Sequence, residues 1–490
     1  MYINKQRSIG LNAALNSLKS VLNILFPIIT FPYVSRVLQV KGIGVYNFSN
    51  SVVSYFLLIA GLGIDVYAVR EGAIFRDNKD KFNTFANQVF TINICSTLIA
   101  YLLLFVCLMA FSKLHTYLIC ILIFSLQILF TTLGTEWVYQ IYEDYAYITL
   151  RGIAFQIISI VLLFIFVRKP SDYINYAWIT VFSVAGSNLL NFIHARKYFQ
   201  LELVKRFDWK AKLKPILIIF GVNIASMIYV NSDITLLGII KNSYVVGLYS
   251  VSSKIYQIVK TLIAAVLIVT VPRLAMLIGK KKYKEYQKLL SKLTNTLVLL
   301  VLPASVGLFM LSKEVILIIS GKNYLQATKS LRILCFAYIF SILSWILTEC
   351  VLIPAKREKK VLLSTSISAA LNIFLNIIFI PYWNENAAAL STVVAEISML
   401  IINYYYAKDL VRGIYFSKEF IKNIIMSCIG CLGIILVCYL CSIGLKSGLI
   451  KTILSIILSV IIYFAILIAL DNKIIISVLN NFVQKINLKK

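Results

Sequence analysis

Residues 12–23 read NAALNSLKSVLN and residues 43–52 read IGVYNFSNSV, and the fold follows from these two runs taken together. In the first, Asn12, Asn16, Lys19 and Asn23 recur at i, i+4, i+7 and i+11, which puts them on one narrow face of an otherwise apolar helix. Such a face calls for protein or water beside it rather than hydrocarbon. A polar turn, Pro32-Tyr33-Val34-Ser35-Arg36, is expected to end this helix. The second run then opens another, which continues to Val69 and ends in Arg70-Glu71. Shifted by 203 positions, Val246-Gly247-Leu248-Tyr249-Ser250 falls under Ile43-Gly44-Val45-Tyr46-Asn47, and Arg273 falls under Arg70. The chain reads as two copies of one design.

Composition agrees with a membrane setting. Of 490 residues 60% are apolar and 14% charged, with mean hydropathy +0.87, far from a soluble domain. Apolar runs of about 20 residues, each long enough to cross about 30 Å of hydrocarbon, recur throughout. Fourteen spans are expected, the first two at 9–34 and 44–69 and the last at 449–470. With both termini cytoplasmic, 33 of the 48 Lys+Arg residues fall on the cytoplasmic side and 12 opposite, with Lys19, Lys254 and Lys260 inside spans. This positive-inside bias sets the orientation.

The net charge of +28 lies in short loops such as 196–214 and 280–292, where topology and anionic lipid account for it; no nucleic-acid partner is expected. Lys5 and Arg7 precede an apolar segment as in a signal peptide, but the segment is too long, contains Lys19 and lacks a cleavage site, so it reads as an uncleaved first helix. Cys428, Cys431, Cys438 and Cys441 form two C-x-x-C pairs, yet inside a single span they read as small apolar residues rather than zinc ligands. No metal or cofactor is expected.

The organisation expected is an all-α polytopic membrane protein. A six-helix lobe covers 1–200, a second covers 201–411, and helices thirteen and fourteen with a cytoplasmic tail cover 412–490. An even number of spans per copy makes the repeat parallel, with the two lobes facing each other across a central cavity.

Several short motifs carry a family resemblance. Phe31-Pro32-Tyr33-Val34-Ser35-Arg36-Val37-Leu38, Ile43-Gly44-Val45-Tyr46, Gly61-Leu62-Gly63-Ile64 and Arg70-Glu71 are similar to the opening of the O-antigen and polysaccharide repeat-unit flippases of the Wzx type. Glu136-Trp137-Val138-Tyr139-Gln140 with Glu143, and Ile353-Pro354 with Lys356-Arg357-Glu358, extend the match. Gln39 departs from it, since the family more often has glycine there. The resemblance implies membership of the superfamily of multidrug and toxin exporters. It also implies a non-enzymatic flippase that moves an undecaprenyl-pyrophosphate-linked oligosaccharide between leaflets of the bacterial cytoplasmic membrane, for O-antigen or another surface polysaccharide. Partners would be that lipid-linked sugar, membrane lipids, and candidate polymerase and assembly proteins.

Ionisable groups inside spans cost several kcal/mol, which makes them functional candidates. Lys19, Lys254 and Lys260 would meet phosphates, with Asn12, Asn16, Asn23, Asn47 and Ser51 as sugar contacts. Each has a structural alternative: lysines snorkel or pair with internal acids, and amides and hydroxyls tie helices together. Arg70 and Arg273 would admit a phosphate, or simply anchor helix ends. Of Asp65, Glu136, Asp233, Glu349 and Glu396, which could couple ions or serve as counter-ions, Asp233 and Glu349 are the ion-coupling candidates. The competing function is a multidrug exporter of the same architecture, whose cavity would favour acids and aromatics over Lys and Asn.

Overall fold

The computed structural model describes residues 9–480 apart from 206, 416, 445–447 and 478; in 9–25, 264–266, 268 and 269 it describes backbone alone. Among the described residues the architecture is helical and contains no strand. Fourteen long helices follow one another: α1 (9–38), α2 (40–61), α3 (Lys79–Ala110), α4 (Leu118–Gly134), α5 (Tyr145–Phe166), α6 (Tyr173–Ala195), α7 (Trp209–Ile240), α8 (Ser243–Gly279), α9 (Tyr283–Met310), α10 (Ala327–Trp345), α11 (358–383), α12 (385–411), α13 (Lys418–Gly444) and α14 (Leu449–Ala469). Among the described residues, eleven continuous helical stretches are long and apolar enough to cross a membrane. Two of these hold a pair of helices each, broken at Gln39 and Asn384.

The first break is not where the polar turn was expected. Pro32 to Leu38 stay helical, and the chain turns at Gln39, with φ 56° and ψ −176°. Burial explains the extension, because Val34, Ser35 and Leu38 are all fully buried and continue the helical spacing of the preceding turns. Pro32 lies within the helix, where the Ser35 hydroxyl donates to its carbonyl at 3.3 Å. α2 is also shorter than expected. Leu62 and Gly63 both take positive φ, 47° and 76°, and a separate helix, Ile64–Gly72, carries Arg70.

Hydrogen bonds cap several helix starts where the sequence supplies the acceptor. Asn78 Oδ1 accepts from Lys81 N at 3.0 Å before α3, and Asp208 Oδ1 accepts from Ala211 N at 3.1 Å before α7.

Two compact units emerge, 1–247 and 248–490. The sequence reading placed its lobe boundary at 200. The difference arises because α7 packs against the first unit: Ser51 on α2 shares a hydrogen bond with Thr235 on α7 at 2.8 Å, and the Cβ that Gly238 lacks would sit 2.0 Å from the Phe48 ring. One core of the first unit is built on Tyr67, Phe82, Phe85, Trp137, Tyr139 and Phe199. In the second unit one core surrounds Leu290, Leu297, Ile346 and Val351, and another seats α13 and α14 on α9 through Leu299, Ile434, Tyr463 and Leu467.

The 203-residue shift is visible in contacts. Tyr46 on α2 shares a hydrogen bond with Thr180 on α6 at 2.9 Å, and its counterpart Tyr249 on α8 shares one with Thr392 on α12 at 3.2 Å. Within the first unit the segments 40–44 and 243–247 cross at very short range. A Cβ on Gly44 would fall 1.7 Å from the Ser243 carbonyl oxygen, and one on Gly247 would fall 2.0 Å from the Val40 carbonyl oxygen. Adding 203 turns 40 into 243 and 44 into 247, so each contact is the image of the other.

Candidate functional site

The polar stripe of α1 lies on described helical backbone, but the side chains of Asn12, Asn16, Lys19 and Asn23 lie outside the described residues. On α2, Asn47 is half-buried and Ser51 is buried. The Ser51 hydroxyl is engaged in packing: it reaches Thr235 Oγ1 at 2.8 Å and the Asn231 carbonyl at 3.4 Å, while Thr235 contacts the Tyr55 hydroxyl at 3.2 Å. Asp233 lies two residues from both Asn231 and Thr235 on α7 and is 6% exposed.

The second unit holds the best-defined charged site. Lys260 on α8 extends its Nζ to 3.5 Å from Glu396 Oε1 on α12, and the Tyr256 hydroxyl donates to the same oxygen at 3.4 Å. Two aromatic faces flank the ammonium, with the Tyr256 and Trp345 ring centres 5.7 and 5.8 Å away. Within about 6 Å such faces favour a cation. The pair is lopsided: the Lys260 side chain is 27% exposed and that of Glu396 only 4%. The carboxylate is therefore sealed in, whereas part of the lysine side chain remains exposed.

Lys254, six residues earlier on α8, is half-buried and forms no ion pair with a described residue. Arg70 is exposed and pairs with its neighbour Glu71 at 3.0 Å. Arg273 is exposed on α8, directly after Pro272.

Glu349 lies in an unusual element. After α10 the helix widens into a π-helical stretch, Ile346–Leu352, a form often found at functional sites. Asn403 on α12 braces it, donating to Ser344 Oγ and Thr348 Oγ1, both at 3.0 Å. The stretch leads into Lys356, at φ 59°, and then Arg357. The Arg357 guanidinium donates to both carboxylate oxygens of Asp409 at 2.7 and 2.6 Å, and to the Tyr406 carbonyl at 2.6 Å. Its hydrogen bonds to Asp409 raise the Arg357 pKa above its ordinary value. The fold at Asn384 makes this clamp possible by returning α12 to the start of α11.

Sequence reasoning treated Glu396 as one acid among five. Its partnership with Lys260 spans 136 positions, which no local pattern can reveal. Trp345 and Asn403 escaped notice because an aromatic or an amide within a span resembles ordinary packing. The buried pair Lys451–Glu314, at 3.1 Å, was also missed, since each residue lies close to a helix start where charge is commonplace.

The sequence pattern of the polysaccharide biosynthesis protein family matches residues 9–278, more than half of the chain. The chain belongs to that family. This polysaccharide biosynthesis protein is 23% identical over 345 residues to a putative O-antigen transporter of Shigella dysenteriae, covering 69% of this chain and 84% of that one. It is 22% identical over 401 residues to the capsular polysaccharide biosynthesis protein CapF of Staphylococcus aureus, covering 79% and 96%. With a putative O-antigen transporter of Escherichia coli K12 it shares 26% over 150 residues, or 36% of that relative's length. Among solved structures, the lipid II flippase MurJ in an inward closed conformation matches with TM-score 0.72 at 16% identity, over 93% of this chain and 97% of that one. An inward-facing multidrug resistance MATE transporter of the MOP superfamily matches at 0.62 and 14%, over 82% and 96%. The protein is thus a multi-pass membrane protein of the polysaccharide biosynthesis family, with the fold of these two solved transporters.

Proposed function

We propose that this transporter moves an undecaprenyl-diphosphate-linked oligosaccharide from the inner to the outer leaflet of the bacterial cytoplasmic membrane by alternating access. The observation that carries this reading is the Lys260 site, a cation wedged between two aromatic faces and balanced by an internal carboxylate. A phosphate competes well for such an ammonium, since a charged hydrogen bond nets about 1.5–3 kcal/mol. A site for cationic drugs would instead leave its acid unpaired, whereas Glu396 is neutralised by Lys260.

In this reading residues 1–200 and 201–411 are the two lobes, with helices thirteen and fourteen in 412–490 as an addition. Lys19, Lys254 and Lys260 hold the diphosphate, while Asn12, Asn16, Asn23, Asn47 and Ser51 meet sugar hydroxyls. Arg70 and Arg273 attract the head group, and Asp233 or Glu349 couples the cycle to an ion. Both termini lie in the cytoplasm, and a polymerase and assembly proteins act downstream. An inside-negative potential helps an anionic head group outward by about 2.3 kcal/mol per net charge per 100 mV.

The test uses cells lacking this gene, in which lipid-linked repeat units should accumulate on the cytoplasmic face and surface polymer should be lost. Lys19→Ala should weaken transport roughly ten- to a hundredfold, Lys19→Arg should retain much of it, and Lys19→Glu should abolish it at normal membrane levels. Full restoration of surface polymer by Lys19→Glu would remove the phosphate contact.

A further inference from the structure

A second polar cluster lies in the first unit, where the helix Glu136–Ile141 meets α5 and α6. Its aromatic frame is dense: the Tyr147 ring stacks on His194 at 4.2 Å and on Tyr139 at 5.3 Å. The tyrosine protons are already committed. Tyr139 donates to the Asn191 carbonyl at 2.6 Å and Tyr147 to the Leu190 carbonyl at 3.1 Å.

What remains is a set of buried groups without hydrogen-bond partners among the described residues: Nε and Nη1 of Arg151, both polar atoms of the Asn191 amide, Nε1 of Trp137 and Nε2 of His194. Arg151 is only 8% exposed and Asn191 is fully buried. The Arg151 guanidinium lies 5.8 Å from the Tyr147 ring centre and makes no ion pair with a described carboxylate. Glu136 acts on it only at longer range, and the nearby Asp144 accepts the Tyr198 hydroxyl at 2.9 Å.

Buried polar groups are nearly always paired, and each orphan costs about 1–3 kcal/mol. This set is dominated by donors and centred on a guanidinium, the side chain whose fork matches phosphate. A ligand rich in acceptor oxygens suits the donors in this set. Location narrows the choice. Arg151 lies six residues into α5, about 9 Å along the helix axis, and His194 is the penultimate residue of α6. Both stand toward helix ends, where a membrane-spanning helix approaches the head groups. Outside the cluster Leu150, Leu190 and Ile193 are exposed apolar residues, suited to acyl or isoprenoid chains.

We infer that this cluster is a lipid-phosphate site of the first unit, built from residues other than those of the Lys260 pair. The phosphate belongs either to an anionic phospholipid or to a polyprenyl diphosphate docking before transport. It also gives a purpose to the Glu136-Trp137-Val138-Tyr139-Gln140 motif, which sets Trp137 and Tyr139 in the frame.

The test is native mass spectrometry of the full chain with phosphatidylglycerol, with phosphatidylcholine as control and farnesyl diphosphate as competitor. Arg151→Gln should weaken phosphatidylglycerol retention roughly tenfold or more, and Arg151→Lys by less. Asn191→Asp, which adds a carboxylate to the cluster to compete with the phosphate, should also displace the lipid at normal membrane levels, a result that a purely structural arginine would not give. Displacement of phosphatidylglycerol by farnesyl diphosphate in the parent but not in Arg151→Gln assigns the site to the diphosphate, and failure to displace assigns it to the phospholipid. Parental retention by either Arg151→Gln or Asn191→Asp overturns the site, as does equal retention of phosphatidylcholine by the parent.

Discussion

Lys260 could be picked out from the sequence because a lone charge inside an apolar run has few ordinary explanations. Its meaning could not, because Glu396 comes from another helix and fixes whether the lysine is a free cation or half of a pair. The asymmetry of that pair makes a prediction. Lys260→Ala leaves an almost fully buried carboxylate without its cation and should cost about 3–5 kcal/mol. Glu396→Gln leaves an ammonium on the less buried of the two side chains, still held between two aromatic faces, so it should cost less; the double substitution Lys260→Met with Glu396→Leu should recover much of the loss. Thermal unfolding of the purified variants in detergent checks the order, and equal losses for the two single variants would mean that the pair is equally buried from both ends. Arg151 went unnoticed for the opposite reason: near the start of a span it reads as an anchoring residue, and only the orphaned groups around it give it away.

Among the elements, apolar run length made the number of helices legible, whereas their breaks depended on backbone conformation that run length does not encode. Gln39 illustrates this. It differs from the glycine expected by resemblance and proves to be the residue at which α1 turns into α2, in a backbone region that strains any side chain by about 1–3 kcal/mol. Gln39→Gly and Asn384→Gly should therefore each raise stability by about 1 kcal/mol, the relief of strain exceeding the entropy that glycine loses. Melting temperatures measured in parallel test both. The glycines at the crossing of 40–44 with 243–247 should behave in the opposite way. Gly44→Ala and Gly247→Ala would each force a methyl onto a backbone carbonyl, which cannot move aside as a side-chain tip can, so each should cost about 1–3 kcal/mol or more and lower the amount of folded protein in the membrane. A well-folded, active Gly44→Ala would show that the two segments separate easily.

At the scale of the whole molecule, composition alone placed the chain in a membrane, and loop charge supplied an orientation. Single cysteines at Lys205 and Lys284, which follow the sixth and eighth helices, should be labelled by an impermeant reagent from the same face of the membrane, the cytoplasmic one; labelling from opposite faces would break the helix count between them. The boundary between units was harder to read because a sequence repeat marks where a copy begins, whereas compactness depends on which neighbours a helix packs against, and α7 packs with the first unit. The mirrored contacts of Gly44 with Ser243 and of Gly247 with Val40 bear on the origin of the chain. A contact that maps onto itself under the repeat has the form of a twofold, self-complementary interface. A half-length ancestor with one such glycine would carry both sides of that interface and could have met a second copy of itself through it. Fusion would then have turned an encounter between separate molecules into a permanent neighbour on the same chain.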